Sequence, residues 1–135
     1  MNLKIAIVGS RSFNDYDKLK SVMNTLKEYY KDHKITVVSG GANGADKLGE
    51  KWANENSLET LIFIPSWDDL SHPNARILIN KWGKQYDANA GMRRNKDIVD
   101  NAHIVIAFWD GVSSGTNDSI KYAKKTKKPL KIFKI

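Results

Sequence analysis

An apolar strand that runs into three glycines and then an amphipathic helix admits few folds, and residues 35–56 have that form. Ile35, Val37 and Val38 lead into Ser39-Gly40-Gly41-Ala42-Asn43-Gly44-Ala45-Asp46, and Ala45, Leu48, Trp52 and Ala53 follow at helical spacing. Glycines at such a junction accept positive φ and let a backbone come close to a ligand. The first amides of the helix lack partners within it, and with the helix dipole they attract anions such as phosphate. A tight turn in which the glycines serve geometry alone is the alternative. Other segments bear on that choice.

The strand–helix alternation continues along the chain. Strands are expected at Leu3–Val8, Ile35–Ser39, Thr60–Ile64, His103–Phe108 and Leu130–Phe133. The first helix starts at Asp15, with Leu19, Val22, Met23, Leu26, Tyr29 and Tyr30 on one stripe; others run over Ala45–Asn56, Met92–Asn101 and Gly115–Lys125. Such βα units imply an α/β fold, a doubly wound parallel sheet of about five strands with helices on both faces and right-handed crossovers. At 135 residues the chain reads as one domain, 1–135. The exception is Ser66–Ala90, too long for an ordinary connection and carrying Trp67, His72, Trp82 and Tyr86. Its Ile77-Leu78-Ile79 reads as a short strand or one helical turn. A lid or binding element is the expected role of this insertion, with a subunit-contact arm as the alternative.

Composition narrows the function classes. Cysteine is absent, which excludes a disulfide framework and a Cys-based zinc site. No run approaches a membrane span and no targeting segment is apparent, so a soluble cytoplasmic protein is expected, without a membrane partner. The net charge of +7 is concentrated: seven of the 22 basic residues are the lysines within 121–134, where no acid occurs, and the other 15 match the 15 acids. A solvated helix face and tail is the first reading of that run, and a polyanion contact the second.

Ligands of doubly wound sheets bind beyond the carboxyl ends of the strands, and every unusual motif here lies at such an end. Gly9-Ser10-Arg11 ends the first strand, the glycine motif the second and Pro65-Ser66-Trp67 the third; Trp109-Asp110-Gly111-Val112-Ser113-Ser114-Gly115-Thr116 follows the fourth. Ala90-Gly91-Met92-Arg93-Arg94-Asn95 opens the third helix. Glycine amides and the Ser10 and Thr116 hydroxyls suit a phosphate, Arg11 and Arg94 suit its charge, and Trp67 and Trp109 suit a stacked base. The candidate ligand-binding set is Gly9, Ser10, Arg11, Ser39, Gly40, Gly41, Gly44, Asp46, Trp67, Arg94, Asn95, Trp109, Asp110, Gly111, Ser113, Gly115 and Thr116. Asp46 has a competing role in fixing the glycine loop through backbone amides. Arg93 points about 100° away from Arg94 on a helix and reads as solvated. His33 reads as a surface residue, His103 as structural, and His72 has only its place in the long loop to favour it. No spacing of His with carboxylates suggests a metal, and no cofactor is expected.

The five ordered motifs resemble those of the SLOG superfamily, and within it the YspA-like, YpsA-related group, over nearly the whole chain. The resemblance implies a Rossmann-like fold that binds a nucleotide or nucleotide-derived ligand. Related proteins include the cytokinin-activating LOG enzymes, which release the base from a nucleoside 5′-monophosphate, and the DNA-processing protein A family, which binds single-stranded DNA. Arg94 corresponds to an arginine of the LOG enzymes, but the glutamate they place three residues after the Thr of the Gly-Thr turn is Ser119 here. Without that acid, Asp46, Asp110 or Asp118 must activate water or steady positive ribosyl charge. Asp46, Arg94 and Asp118 are therefore the catalytic candidates, if catalysis occurs at all. The expected ligand is AMP-like or ADP-ribose-like, held at the carboxyl edge of the sheet by a sensor, a sink or a slow N-glycosidic hydrolase. Single-stranded nucleic-acid binding is the alternative, and a homo-oligomer is expected.

Overall fold

In the computed structural model, which describes residues 2–135, the apolar strands assemble side by side. They are β1 (Asn2–Gly9), β2 (Lys34–Ser39), β3 (Glu59–Ile62), β6 (Ile104–Trp109) and β7 (Leu130–Lys134). The order is β3-β2-β1-β6-β7 and every pairing is parallel. The chain crosses by α1 (Tyr16–Tyr29), α2 (Ala45–Glu55), α3 (Ala90–Asp100) and α4 (Ser114–Lys125).

The two-residue period of the central strands divides the core. Ile5, Ile7, Ile35, Val37, Ile106 and Phe108 face α1 and α2, where Leu19, Met23, Trp52 and Ala53 meet them. Ala6, Val8, Val38, Val105 and Ala107 face α3 and α4, where Ile98, Val99, Ile120 and Ala123 are buried. Both faces of β1 are thus covered, as its nearly continuous apolar run requires. Each large side chain buried this way contributes about 1.5–3 kcal/mol. The architecture is the expected α/β doubly wound sheet.

Element limits differ from the expectation by one or two residues. β6 runs over Ile104–Trp109; His103 before it is exposed, its amide donates to Lys4 O at 2.8 Å, and its Nδ1 in place of its carbonyl accepts the Lys4 amide at 2.9 Å. β3 stops at Ile62, and Ile64 beyond it is exposed. Within the long insertion Ile77–Ile79 is a strand, β4, paired antiparallel with β5 (Gln85–Asp87). The tip is fixed by Asn80, whose side chain accepts the amides of Trp82 and Lys84. His33, expected at the surface, is half-buried instead, edge-on to Tyr30. Among the described residues no helix is long and apolar enough to cross a membrane.

Candidate functional site

The strand order reverses at β1, whose neighbours β2 and β6 leave in opposite directions, and a crevice opens where the connections from β1 and β6 part. A cavity of about 640 Å³ lies there. Gly9, Ser10, Arg11 and Ser12 reach it from the end of β1, Ala42 and Asp46 from the glycine loop and α2, and Trp67 and Ala88 from the insertion. Gly91, Met92, Arg94, Asn95 and Ile98 come from α3; Ser113, Ser114, Gly115, Thr116 and Ser119 come from α4 and the turn before it.

Ser10 ties β1 to β6. Its amide donates to Phe108 O at 3.0 Å, its carbonyl accepts the Ala45 amide at 3.3 Å, and its hydroxyl oxygen accepts the Asp110 amide at 3.1 Å. Ser113 Oγ lies 3.0 Å from the same hydroxyl. Asp110 does not line the cavity: it accepts the amides of Val112 and Ser113 at 2.9 and 2.8 Å, and these bonds pull its carboxyl down to about 2. The Asp110 turn sets the approach to α4, whose N-cap Ser113 makes no side-chain bond to the helix amides. First-turn amides have no intrahelical acceptors, so α4 presents donors and a positive dipole end toward the cavity.

Two cations converge here. Arg94 is half-buried; its Nη1 donates to Gly40 O at 2.5 Å and its Nε to Asn95 Oδ1 at 3.0 Å. Burial pulls the guanidinium pKa down, Asp46 opposes that and nearby Arg11 adds to it; the group stays charged at neutral pH. Asp46 is only 6% exposed and Oδ2 accepts the Ala42 amide at 3.3 Å. Burial raises its carboxyl to about 6, against the lowering effects of the Ala42 amide and Arg94.

Arg93, expected to be solvated, is a structural clamp. Its side chain is only 21% exposed, pairs with the fully buried Asp87, and donates to Asn74 Oδ1 at 2.6 Å. Asp87 Oδ1 also accepts the amides of Arg76 and Asn89, each at 2.9 Å. Burial alone would raise the Asp87 carboxyl; the bonds from Arg93, Arg76 and Asn89 outweigh it and hold it below its ordinary value. The Asp87 amide donates to Trp67 O at 2.8 Å, and the Trp67 ring covers Gly91 at the start of α3. The hairpin is therefore bolted to α3 on the same side as the cavity wall that Trp67 forms.

Of the residues singled out in the sequence, Gly9, Ser10, Arg11, Asp46, Trp67, Arg94, Asn95, Ser113, Gly115 and Thr116 share this wall. Ser39, Gly40, Gly41, Gly44, Trp109, Asp110, Gly111 and Asp118 do not line the cavity. Ser39 Oγ donates to Glu50 Oε2 at 2.7 Å, and Trp109 Nε1 to Ser113 O at 3.1 Å, which turns that indole to a helix-capping turn. Asp118 accepts from Asn95 Nδ2 at 3.2 Å. Gly44, at φ +80°, packs on the carbonyls of Ser10 and Arg11. Ser12, Ala42, Gly91, Met92, Ser114 and Ser119 line the cavity without having been singled out as contacts; each adjoins a motif, but only the turn geometry shows which neighbour faces inward.

A cavity of this size with two arginines, an open helix N-terminus and an indole wall can hold a phosphorylated ligand with an aromatic group. The fold is shared with DNA processing protein A from Streptococcus pneumoniae, at TM-score 0.72 and 22% identity over 96% of this chain and 50% of that one. It is shared with a Helicobacter pylori DNA processing protein A at TM-score 0.65 and 25% identity, over 96% and 64%. The structural-genomics target TM1055 gives TM-score 0.61 and 20% identity, over 95% and 72%. The chain thus spans about half to under two thirds of the length of the two DNA processing proteins. No curated protein matches it in sequence. Residues 3–69, from β1 through the glycine loop to Pro65-Ser66-Trp67, match the model of the YspA, cpYpsA-related SLOG family.

Proposed function

We propose that the cavity between β1 and β6 binds a nucleotide-derived anion, AMP-like or ADP-ribose-like, and holds it as a sensor, a sink or a slow N-glycosidic hydrolase. One observation carries this reading: the open first turn of α4, Arg11 and Arg94 converge on one cavity that Trp67 flanks. Phosphate accepts from the α4 amides and from Arg94, whose Nη2 makes no bond among the described residues; the base lies against Trp67.

Arg94→Ala tests it by titration calorimetry with AMP, ADP and ADP-ribose. The expected loss is on the order of 1.5–3 kcal/mol of binding. Equal affinity in wild type and variant would remove Arg94 from the site. Gly115 supplies the complementary test, because a Cβ built there meets nothing within 4 Å. Gly115→Val is expected to fold normally by circular dichroism and yet lose nucleotide, since the added branch occupies space beside the α4 amides. Unchanged affinity in that variant would count against phosphate at this helix end.

Turnover is expected to be slow. Ser119, at the position where the LOG enzymes place their glutamate, turns its hydroxyl to Gly115 O at 3.3 Å, and among the described residues Asp46 is the carboxylate on the wall. Release of adenine from AMP at about 1 per second or faster would contradict a binding role. Asp46 also gives binding a pH dependence. Above about pH 6 its carboxylate competes with the ligand for Arg94, and below that it is neutral. ADP-ribose, whose phosphates do not titrate in this range, should bind up to about tenfold tighter at pH 5 than at pH 7. Asp46→Asn should bind with no such slope; a slope that survives assigns it to another group.

The second reading is single-stranded nucleic acid, favoured by the Helicobacter pylori neighbour, whose structure concerns its single-stranded DNA binding, and by the lysines over 121–134. Affinity for an oligonucleotide through that lysine run should fall steeply with salt by counterion release, whereas a cavity closed on one or two phosphates should respond much less.

A further inference from the structure

A second cleft, of about 430 Å³, lies on the other side of Arg94. Arg94 lines both cavities, and the first turn of α3 is the partition: Ala90 faces the second and Gly91 the first. The charges differ across it. The first cavity holds Arg11 and Arg94 against Asp46. In the second, the Arg93 guanidinium is taken up by Asp87 and Asn74, so that Arg94 at the partition and Lys96 are balanced by two carboxylates, Asp97 and Asp100. A phosphate placed there would gain no net attraction.

The same groups suit hydroxyls. Carboxylates only accept hydrogen bonds, and a sugar diol donates two. Asp97 makes no side-chain hydrogen bond among the described residues, while Tyr122 donates to only one oxygen of Asp100, at 2.8 Å. His72 accepts the Asn74 amide at Nδ1, 3.2 Å, so a neutral ring carries its proton on Nε2 and offers a donor to the cleft. Lys96 lies 5.8 Å from the Tyr122 ring centre, at the edge of the same surface.

We infer that the second cleft is a subsite for an uncharged, hydroxyl-rich group attached to the anion held in the first cavity. The ligand is then a phosphoanhydride with a sugar at each end, one sugar bearing the base, and not a mononucleotide. This rests on the nucleotide reading of the first cavity and adds the far half of the ligand.

Titration calorimetry with ADP and ADP-ribose isolates the added sugar. Wild-type protein is expected to bind ADP-ribose at least tenfold more tightly than ADP. Asp97 is exposed, so Asp97→Ala should fold; it is expected to weaken ADP-ribose about tenfold and leave ADP unchanged. Arg94→Ala should weaken both. Equal binding of ADP and ADP-ribose by the wild type, or equal weakening of both by Asp97→Ala, would overturn the subsite while leaving the first cavity intact. Binding of neither ligand would remove the nucleotide reading and the subsite with it.

Discussion

Asp87→Ala will loosen the hairpin and move the Trp67 wall of the cavity. Asp87 is fully buried and accepts from Arg93, from the Arg76 amide and from the Asn89 amide. Removing it strands a largely buried guanidinium and two amides at once, a loss on the order of 3–5 kcal/mol. The hairpin β4–β5 is two-stranded and exposes Ile77, Ile79 and Trp82, so it has little else to hold it in place. The damage should therefore be local. Hydrogen exchange is expected to show loss of protection over residues 67–89, with β1, β2 and β6 still protected. Uniform loss across the sheet would mean that the clamp stabilises the whole fold. Unchanged exchange in the hairpin would mean that the pair contributes nothing. Acid should mimic the variant. The Asp87 carboxyl is depressed in the folded protein, so its contribution is fully present above about pH 4 and is lost as pH falls through the lower folded value.

Gly44→Val will compromise folding before it reports on any ligand. Gly44 stands at φ +80°, where a β-branched residue is strained by about 1–3 kcal/mol. A Cβ there would also be driven into the Ser10 carbonyl and lie 2.6 Å from Arg11 O. These are backbone atoms of the segment that carries Ser10 between β1 and β6, and they cannot retreat without breaking the Phe108 and Ala45 contacts. The combined cost is expected at roughly 3–5 kcal/mol, read as a fall in Tm and in the urea midpoint. A Gly44→Val protein of wild-type stability would show that this loop has more freedom than its packing allows. Gly115, with open space at its Cβ, is the better position from which to probe phosphate.

The contrast between these two glycines shows where the sequence stopped being legible. Both lie in motifs at strand ends, and both read as parts of a phosphate cradle. Position in the motif is local information, but the direction of the missing Cβ depends on what packs there. At Gly44 that is the backbone after β1, more than thirty residues away; at Gly115 there is nothing. Arg93 and Arg94 repeat the lesson. Helical geometry correctly separates them by about a quarter turn. It does not reveal that the turn away from the cavity leads to Asp87, because Asp87 reaches that place only through the pairing of β5 with β4.

The alternation of apolar runs and amphipathic stripes was enough to determine the parallel sheet, its covering helices and the edge at which the cavity opens. Those follow from periodicity and from the handedness of βα crossovers, which each unit carries in its own residues. Tertiary structure alone decided the rest: that Trp67 lines the cavity, and that Asp46 is buried beside Arg94. Each is a pairing between segments distant in sequence. A side chain's chemistry there is set by the dielectric and the partners that the fold supplies, not by its immediate neighbours.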